Sequence, residues 1–165
     1  MTELTAAERS IVVERVMSHP PEKIWRALTQ APLIEEWLMK NDFQPVVGNK
    51  FNLRAEPMAG WNGVTDCEVL IVEPYERLAY SWNSSGDEAV NGLRTVVTWT
   101  LTPTKGGTLV RMEQSGFRPE DERFYQGAGY GWQKMIASLE RVAALLDYNA
   151  VSARQTEPAM IRSEA

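Results

Sequence analysis

Apolar residues recur with a helical period over residues 131–146. They lie three, four and seven positions apart in repeated steps, and they are Trp132, Met135, Ile136, Leu139, Val142, Ala143 and Leu146. This spacing gathers them on one face of an α-helix, and no proline interrupts the interval. At about 1.5 Å per residue, such a helix is about 24 Å long. The pattern predicts a long helix over about 120–148, with an apolar face that needs a broad partner surface.

Segments of β-branched and aromatic residues make up most of the remaining chain. Leu78, Tyr80 and Trp82 alternate with small or polar residues, which is typical of a strand with one buried face. The gaps are rich in proline, glycine and asparagine, and such short connections make consecutive strands antiparallel. The predicted strands cover residues 9–16, 50–56, 65–73, 78–82, 94–101 and 108–115.

Two short helices are predicted between the first two strands. Pro21 and Pro32 each suit the first turn of a helix, where a residue without an amide hydrogen loses no helical bond. Residues 22–28 and 33–38 continue from these prolines with apolar side chains at helical spacing.

The predicted order of elements is one strand, two short helices, five strands and one long helix. This order indicates an α+β fold, in which a curved antiparallel β-sheet of about six strands wraps around a long C-terminal α-helix. Residues 9–148 would form a single domain, because a chain of 165 residues suits one core. We expect a flexible lead-in at 1–8 and a flexible tail at 149–165, since neither has an apolar period.

Net charge and hydropathy disfavour several functional classes of protein. The chain carries a net charge of −5 and has no basic cluster, which disfavours binding to nucleic acid or to an anionic membrane. No apolar run approaches the roughly 20 residues of a membrane span, and residues 1–10 lack the apolar core of a signal peptide. We therefore expect a soluble, cytoplasmic protein.

Reactive and metal-binding side chains are scarce. Cys67 is the single cysteine and His19 the single histidine, which excludes an internal disulfide and a metal site built on several such residues. His19 precedes two prolines between a strand and a helix, so a turn role fits it better than catalysis. The phosphate-cradling and dinucleotide-binding glycine motifs are missing. We accordingly predict no metal, no cofactor and no catalytic residue.

The segment 18–29, SHPPEKIWRALT, with Trp37 after it, resembles the opening of the AHSA-like family. Further matching stretches lie at 47–51 (VGNKF), 69–78, 80–82 (YSW), 97–101 (VTWTL), 107–108, 115–117 (SGF) and 131–132. AHSA-like proteins are activator of heat-shock-protein-90 ATPase homologues, similar to the C-terminal domain of that activator. They belong to the SRPBCC, or START-like, helix-grip superfamily, with lipid-transfer domains, the birch pollen allergen and polyketide cyclases. The resemblance implies a helix-grip fold with a cavity between the long helix and the concave sheet face.

Large side chains on the predicted inner faces are candidates to line that cavity. Gly127, Gly129 and Gly131 leave the start of the long helix thin, so we expect open space there. Trp61, in a glycine-flanked loop, is the candidate lid. The alternative for each ring is an ordinary core position, and for Gln114 a hydrogen bond satisfied within the core. The predicted ligand-binding residues are Trp37, Phe51, Leu53, Trp61, Leu70, Tyr80, Trp82, Trp99, Met112, Gln114, Trp132, Met135 and Ile136.

Three functions stay open. The first, which the aromatic residues favour, is binding of a small hydrophobic or amphipathic molecule, lipid- or polyketide-like, in the cavity. The second is a cyclase- or dehydratase-like enzyme acting on a bound aromatic or polyketide-like substrate, with Tyr80, Gln114 or a cavity carboxylate as acid or base. The third, which the resemblance implies, is a co-chaperone that activates the ATPase of a heat-shock chaperone partner. The sequence leaves the ligand and the oligomeric state open.

Overall fold

A seven-stranded antiparallel sheet folded around one long helix forms the body of the protein. The computed structural model describes residues 8–58 and 60–156, and side chains up to Leu146. The strands are Arg9–Met17 (β1), Lys40–Asn41 (β2), Lys50–Arg54 (β3), Val64–Glu73 (β4), Arg77–Ser84 (β5), Arg94–Thr104 (β6) and Gly107–Phe117 (β7). Their order in the sheet is β1-β7-β6-β5-β4-β3-β2, so β2 to β7 pair consecutively and β1 pairs with β7.

Two short helices and one long helix complete the α+β helix-grip fold. They are Pro21–Thr29 (α1), Ala31–Trp37 (α2) and Glu122–Thr156 (α3). Both short helices have a proline in the first turn, as the sequence predicts, and both bury apolar residues such as Ile24, Leu28 and Ile34. Within the described chain, no helix has both the length and the apolar character needed to cross a membrane.

Alternation along the strands gives the sheet an inner face against the helices and an outer face toward solvent. In β6, Val97, Trp99 and Leu101 are buried, whereas the residues between them are partly exposed. Val110 and Met112 repeat the pattern in β7. A period of two places such side chains on one face. The core therefore lies between the inner face of the sheet and the helices.

The predicted apolar face of α3 lies against the sheet. Trp132, Ile136 and Leu139 are at most 1% exposed, so the helical pattern in the sequence is confirmed. Burial of each large apolar side chain stabilises the packed helix by about 1.5–3 kcal/mol. This face therefore attaches α3 to the sheet.

Charged residues at both ends of β1 also contact α3. Arg9 pairs with Glu122 and lies over the Tyr125 ring, 3.8 Å from its centroid. Arg15 pairs with Glu140 farther along the helix. Solvent screens such exposed pairs. They align α3 with the sheet edge, while the apolar face supplies most of the attachment.

The structure differs from the sequence prediction at two places. β2 is an additional strand, with Lys40 opposite Arg54 and Asn41 opposite Leu53. Two residues show no alternation, so pairing with β3, and not a local pattern, creates this strand. α3 continues beyond the predicted residue 148 to Thr156, which makes the first part of the predicted tail helical. Residues 1–7 of the lead-in and 157–165 of the tail lie outside the described residues.

Candidate ligand-binding pocket

A pocket of about 350 Å³ opens between the N-terminal half of α3 and the inner face of the sheet. Its lining comes from α3, from β4, β5 and β7, and from the loops beside them. The lining residues are Met39, Met58, Trp61, Thr65, Trp82, Asn83, Ser84, Leu93, Gln114, Arg123, Phe124, Gly127, Ala128, Gly131, Trp132 and Met135. Protein sites for small molecules usually measure about 300–1,000 Å³ and have mainly apolar walls. This pocket is at the small end of that range.

Missing side chains on α3 leave this space open. Gly127 and Gly131 lie one helical turn apart in the pocket wall. A Cβ atom at Gly127 would meet no atom outside the helix backbone within 4 Å, and one at Gly131 would meet the Met135 methyl group at 3.7 Å. Glycine inside a helix is destabilising by about 0.5–1 kcal/mol relative to alanine. This stretch is therefore a weaker helix than its alanine equivalent, and it leaves the space beneath it unfilled.

A chain of hydrogen bonds closes the floor of the pocket. Trp132 Nε1 donates to Gln114 Oε1 at 2.7 Å, and Gln114 Nε2 donates to Thr95 Oγ1 at 2.9 Å. Thr95 Oγ1 donates in turn to the Trp82 carbonyl at 2.7 Å. Gln114 is 1% exposed, and a buried polar group without a partner costs about 1–3 kcal/mol. The chain of bonds satisfies this amide and holds the Trp132 ring in place.

Aromatic rings connect the pocket with the closed core. The centroids of Trp82 and Trp132 lie 5.3 Å apart, and those of Trp132 and Trp99 lie 5.8 Å apart. Trp99 meets Trp37 edge-on at 5.5 Å. Both contacts of Trp99 are edge-to-face, and such contacts are favourable beyond the area they bury. Trp132 thus forms the boundary between the pocket and the core.

The loop before β4 covers one side of the pocket mouth. Met58 and Trp61 form an isolated β-bridge, and both line the pocket. The Trp61 indole donates to the Val64 carbonyl at 3.1 Å. Gly63 has a φ of +90°, and a Cβ there would lie 2.6 Å from the Ala55 carbonyl oxygen. This position therefore requires glycine, and the tight turn holds Trp61 at the pocket.

An ion pair holds another part of the mouth. The Arg118 guanidinium donates to both carboxylate oxygens of Asp121, at 2.8 and 3.0 Å, and to the carbonyls of Asn91 and Gly92. These carbonyls immediately precede Leu93, which lines the pocket. Burial acts to raise the pKa of the Asp121 carboxyl, but hydrogen bonds from the Arg118 side chain and backbone outweigh it and leave the pKa below its usual value. The ionised carboxylate therefore holds Arg118, whose guanidinium anchors the loop that carries Leu93.

The structure brings five of the predicted ligand-binding residues together around the pocket: Trp61, Trp82, Gln114, Trp132 and Met135. Seven others are buried in the core and do not line it: Trp37, Phe51, Leu53, Tyr80, Trp99, Met112 and Ile136. Apart from Trp61, which lies in a loop, these side chains belong to the inner faces that the periods predict. The periods do not reveal which inner side chains have open space opposite them.

Leu70 requires a correction to the predicted lining. It is 41% exposed, and its neighbour Val69 is buried instead. The pairing of β4 with β5 shifts register between Val69 and Ile71. Thr65, Cys67 and Val69 are buried before this shift, so alternation already places Leu70 on the outer face, and the shift changes the alternation only in the residues that follow. The continuous apolar run over residues 69–72 carries no local sign of the shift.

Several lining side chains are absent from the sequence prediction: Met39, Met58, Thr65, Asn83, Ser84, Leu93, Arg123, Phe124 and Ala128. Extending the helical period backward from the predicted apolar face would find Phe124 and Ala128. The loop residues among them have no periodic signal. Of the three glycines expected to thin the helix, Gly127 and Gly131 line the pocket, whereas Gly129 does not.

Most titratable groups lie outside the pocket. Among the described residues that line it, Arg123 is the single charged side chain, and none is Asp, Glu, His, Cys, Tyr or Lys. Tyr80 is buried in the core, where its hydroxyl accepts a hydrogen bond from the Trp99 indole at 3.1 Å and burial raises the pKa of the phenol. Burial also raises the pKa of the Cys67 thiol. Within the described residues, no three His, Cys, Asp or Glu side chains form a group that could hold a metal ion.

Sequence comparison identifies one family over most of the chain. The sequence profile described as "Activator of Hsp90 ATPase homolog 1-like protein" matches residues 18–144. No curated protein matches the chain significantly.

Solved structures with this fold include near and distant relatives. Protein MLL2253 from Mesorhizobium loti is 58% identical, with a TM-score of 0.75 over 81% of this chain and 96% of that one. The Aha1 dimer from Colwellia psychrerythraea is 22% identical, with a TM-score of 0.67 over 80% and 93% of the two chains. DynU16, from the dynemicin biosynthetic locus, is 23% identical, with a TM-score of 0.65 over 80% of this chain and 46% of its own. The two lower identities show likeness of fold alone.

The family match spans the short helices, strands β2 to β7 and most of the described side chains of α3. The architecture is the helix-grip arrangement of its structural relatives. This chain therefore belongs to the family of Activator of Hsp90 ATPase homolog 1-like proteins, within the START-like SRPBCC superfamily.

Proposed function

We propose that this protein binds a small hydrophobic or amphipathic molecule in the pocket beneath the N-terminal half of α3. The observation that carries the proposal is the open space of about 350 Å³ where the helix has glycine in place of larger residues. Trp82, Trp132 and Met135 offer flat and adaptable apolar surface to a ligand. An apolar molecule that leaves water for such walls gains free energy roughly in proportion to the area it buries.

Polar groups in the pocket wall are already hydrogen-bonded within the protein, which favours a ligand held mainly by apolar contact. Gln114 uses its amide oxygen and nitrogen in bonds to Trp132 and Thr95. The Ser84 hydroxyl accepts from the Leu93 amide at 2.8 Å. These groups therefore shape the pocket wall more than they attract a polar ligand.

Nile red, a neutral dye that becomes bright in apolar surroundings, tests the proposal. The parent protein should enhance the dye emission and lose tryptophan emission, because Trp82 and Trp132 adjoin the site. Gly127→Leu should weaken dye uptake, because its side chain would enter the open space. Gly129→Leu is the matched control, since Gly129 also has no atom near its Cβ position but does not line the pocket.

Both leucine variants should keep the far-ultraviolet circular dichroism of the parent. Dye uptake reduced in Gly127→Leu and retained in Gly129→Leu supports the proposal. Equal uptake by the two variants, or no uptake by the parent, contradicts it.

Catalysis on a bound substrate has weaker support. Tyr80 lies in the core outside the pocket lining, and Gln114 is engaged by its neighbours. An enzyme of this kind would need an acid or base in reach of the substrate. Thr65 and Asn83 carry a hydroxyl and an amide group, which are neither acids nor bases near neutral pH.

A chaperone partner and a cytoplasmic location stay predictions. The partner is the one suggested by the family description, and no contact in the pocket favours or opposes it. A pull-down of purified heat-shock protein 90 with the full chain, with an ATPase assay of the mixture, tests this alternative.

A further inference from the structure

Arg123 has a distinctive position at the pocket. It is the second residue of α3, and Gly127 and Gly131 follow one and two turns later along the same face. Neither glycine carries a side chain, and Arg123 itself lines the open space. Arg123 is also the single charged side chain among the described residues of the lining. The positive charge of the pocket is therefore concentrated at the end nearest the N-terminus of α3.

The acidic groups next to Arg123 in sequence already have partners. Glu122 pairs with Arg9, and Asp121 pairs with Arg118 at 2.8 Å. In the part of the chain that the structure describes, the Arg123 side chain makes no hydrogen bond and no ion pair. Its planar guanidinium therefore keeps the donors that match a carboxylate or phosphate group.

We propose that the ligand of this pocket is an amphipathic anion, with its apolar body against Trp82, Trp132 and Met135 and its anionic group paired with Arg123. This inference rests on the proposed function and adds the charge of the ligand to it. A cationic ligand would face the charge of Arg123 without a carboxylate among the described lining residues to offset it. An anionic group instead gains charge-assisted hydrogen bonds, and the positive end of the α3 dipole adds to the attraction.

Competition of Nile red with decanoate and with decan-1-ol tests the charge of the ligand. These two probes share one alkyl chain and differ in the headgroup, and both are used below the concentrations at which they aggregate. The parent protein should bind decanoate about fivefold more tightly than decan-1-ol at low salt, because decanoate can pair with Arg123. The advantage is modest because Arg123 is exposed. The advantage should shrink when sodium chloride is raised to about 500 mM, since salt screens exposed charges.

Arg123→Gln separates the role of charge from that of the apolar walls. It removes the charge and keeps a polar side chain, so decanoate should lose its advantage over decan-1-ol. Arg141→Gln is the matched control, because Arg141 is exposed on the same helix, bonds to Ser138 at 2.7 Å and does not line the pocket. This control should keep the full preference for decanoate.

The outcomes separate the inference from the proposed function. Equal affinity of the parent for the two probes, or a preference that survives Arg123→Gln, overturns the anionic ligand while dye binding still supports the pocket. Failure of the parent to bind Nile red overturns the proposed function, and the inference falls with it. A preference lost in Arg123→Gln and kept in Arg141→Gln supports the inference.

Discussion

The two halves of the interface between α3 and the sheet are packed differently: side chains fill one half, and the other half contains the pocket. In the C-terminal half, Ile136, Leu139 and Val142 fill the space against the core and are at most 5% exposed. In the N-terminal half, Gly127 and Gly131 line the space between α3 and the sheet, and a pocket of about 350 Å³ remains there. We call these regions the closed half and the open half. The same helix and the same sheet form both, so the side chains on the helix make the difference.

Two tryptophans on neighbouring strands show the same dependence on the opposing element. Trp99 is fully buried, because Trp37 and Trp132 pack around its ring. Trp82 is partly exposed, because its ring faces the pocket. Interiors are close-packed only where opposing side chains fill the volume. An aromatic residue on the inner face is therefore core or pocket wall according to what the second element places opposite it.

The largest effect is expected in the closed half. Leu139→Ala removes a fully buried side chain and should lower the free energy of unfolding by about 2–5 kcal/mol. Leu145→Ala on the same helix is the matched control, because Leu145 is 52% exposed and its change should be within about 0.5 kcal/mol. Urea unfolding followed by tryptophan emission measures both. Similar losses in the two variants would show that burial of Leu139 against the core does not stabilise this half.

The boundary between the halves depends on Gln114. Gln114→Met keeps the size of the side chain but leaves the Trp132 indole without its acceptor, so the free energy of unfolding should fall by about 1–3 kcal/mol. Near-ultraviolet circular dichroism should also weaken, because the Trp132 ring loses a fixed orientation. An unchanged spectrum and stability would mean that packing alone holds this ring.

The mouth of the open half should respond to pH through Asp121. The folded-state pKa of this carboxyl lies below its usual value, so its stabilising effect is complete at neutral pH and is lost as the pH falls below about 4. Asp121→Asn should lower the free energy of unfolding by about 1–2 kcal/mol at pH 7, and the gap from the parent should narrow in acid. Glu120→Gln is the control, because Glu120 is 65% exposed and 3.8 Å from Arg118. Urea unfolding at several pH values measures the gap, and a gap that persists in acid contradicts this assignment.

The smallest effects are expected on the thin stretch of α3 itself. Gly129→Ala and Gly127→Ala should each stabilise the helix by about 0.5–1 kcal/mol, because neither added methyl group meets an obstacle. Gly127→Ala should also reduce Nile red binding slightly, whereas Gly129→Ala should not. Thermal unfolding and dye titration separate these results. A loss of stability in both variants would mean that this stretch needs glycine for a reason other than open space.

The fold is more predictable from the sequence than the pocket. Periods of two and 3.6 residues follow from backbone geometry, so the apolar faces of the strands and of α3 are visible in the chain. The two-residue strand β2 has no such period, because its pairing with β3 creates it. Loop residues such as Met39 and Leu93 have none either, since they reach the pocket through the folded path of the chain. A pocket forms where segments that are distant in the chain leave space between them. A local period of apolar residues contains no information about that space.

The order of the main elements, the buried face that includes Trp132 and Leu139, and the glycines at the start of α3 follow from the sequence alone. Each of these features depends on residues that are close together in the chain. The outward direction of Leu70 and the bond between Gln114 and Trp132 emerge only in the folded protein. Those features depend on strand register and on packing between residues far apart in the chain, which a local pattern of apolar and polar positions does not encode.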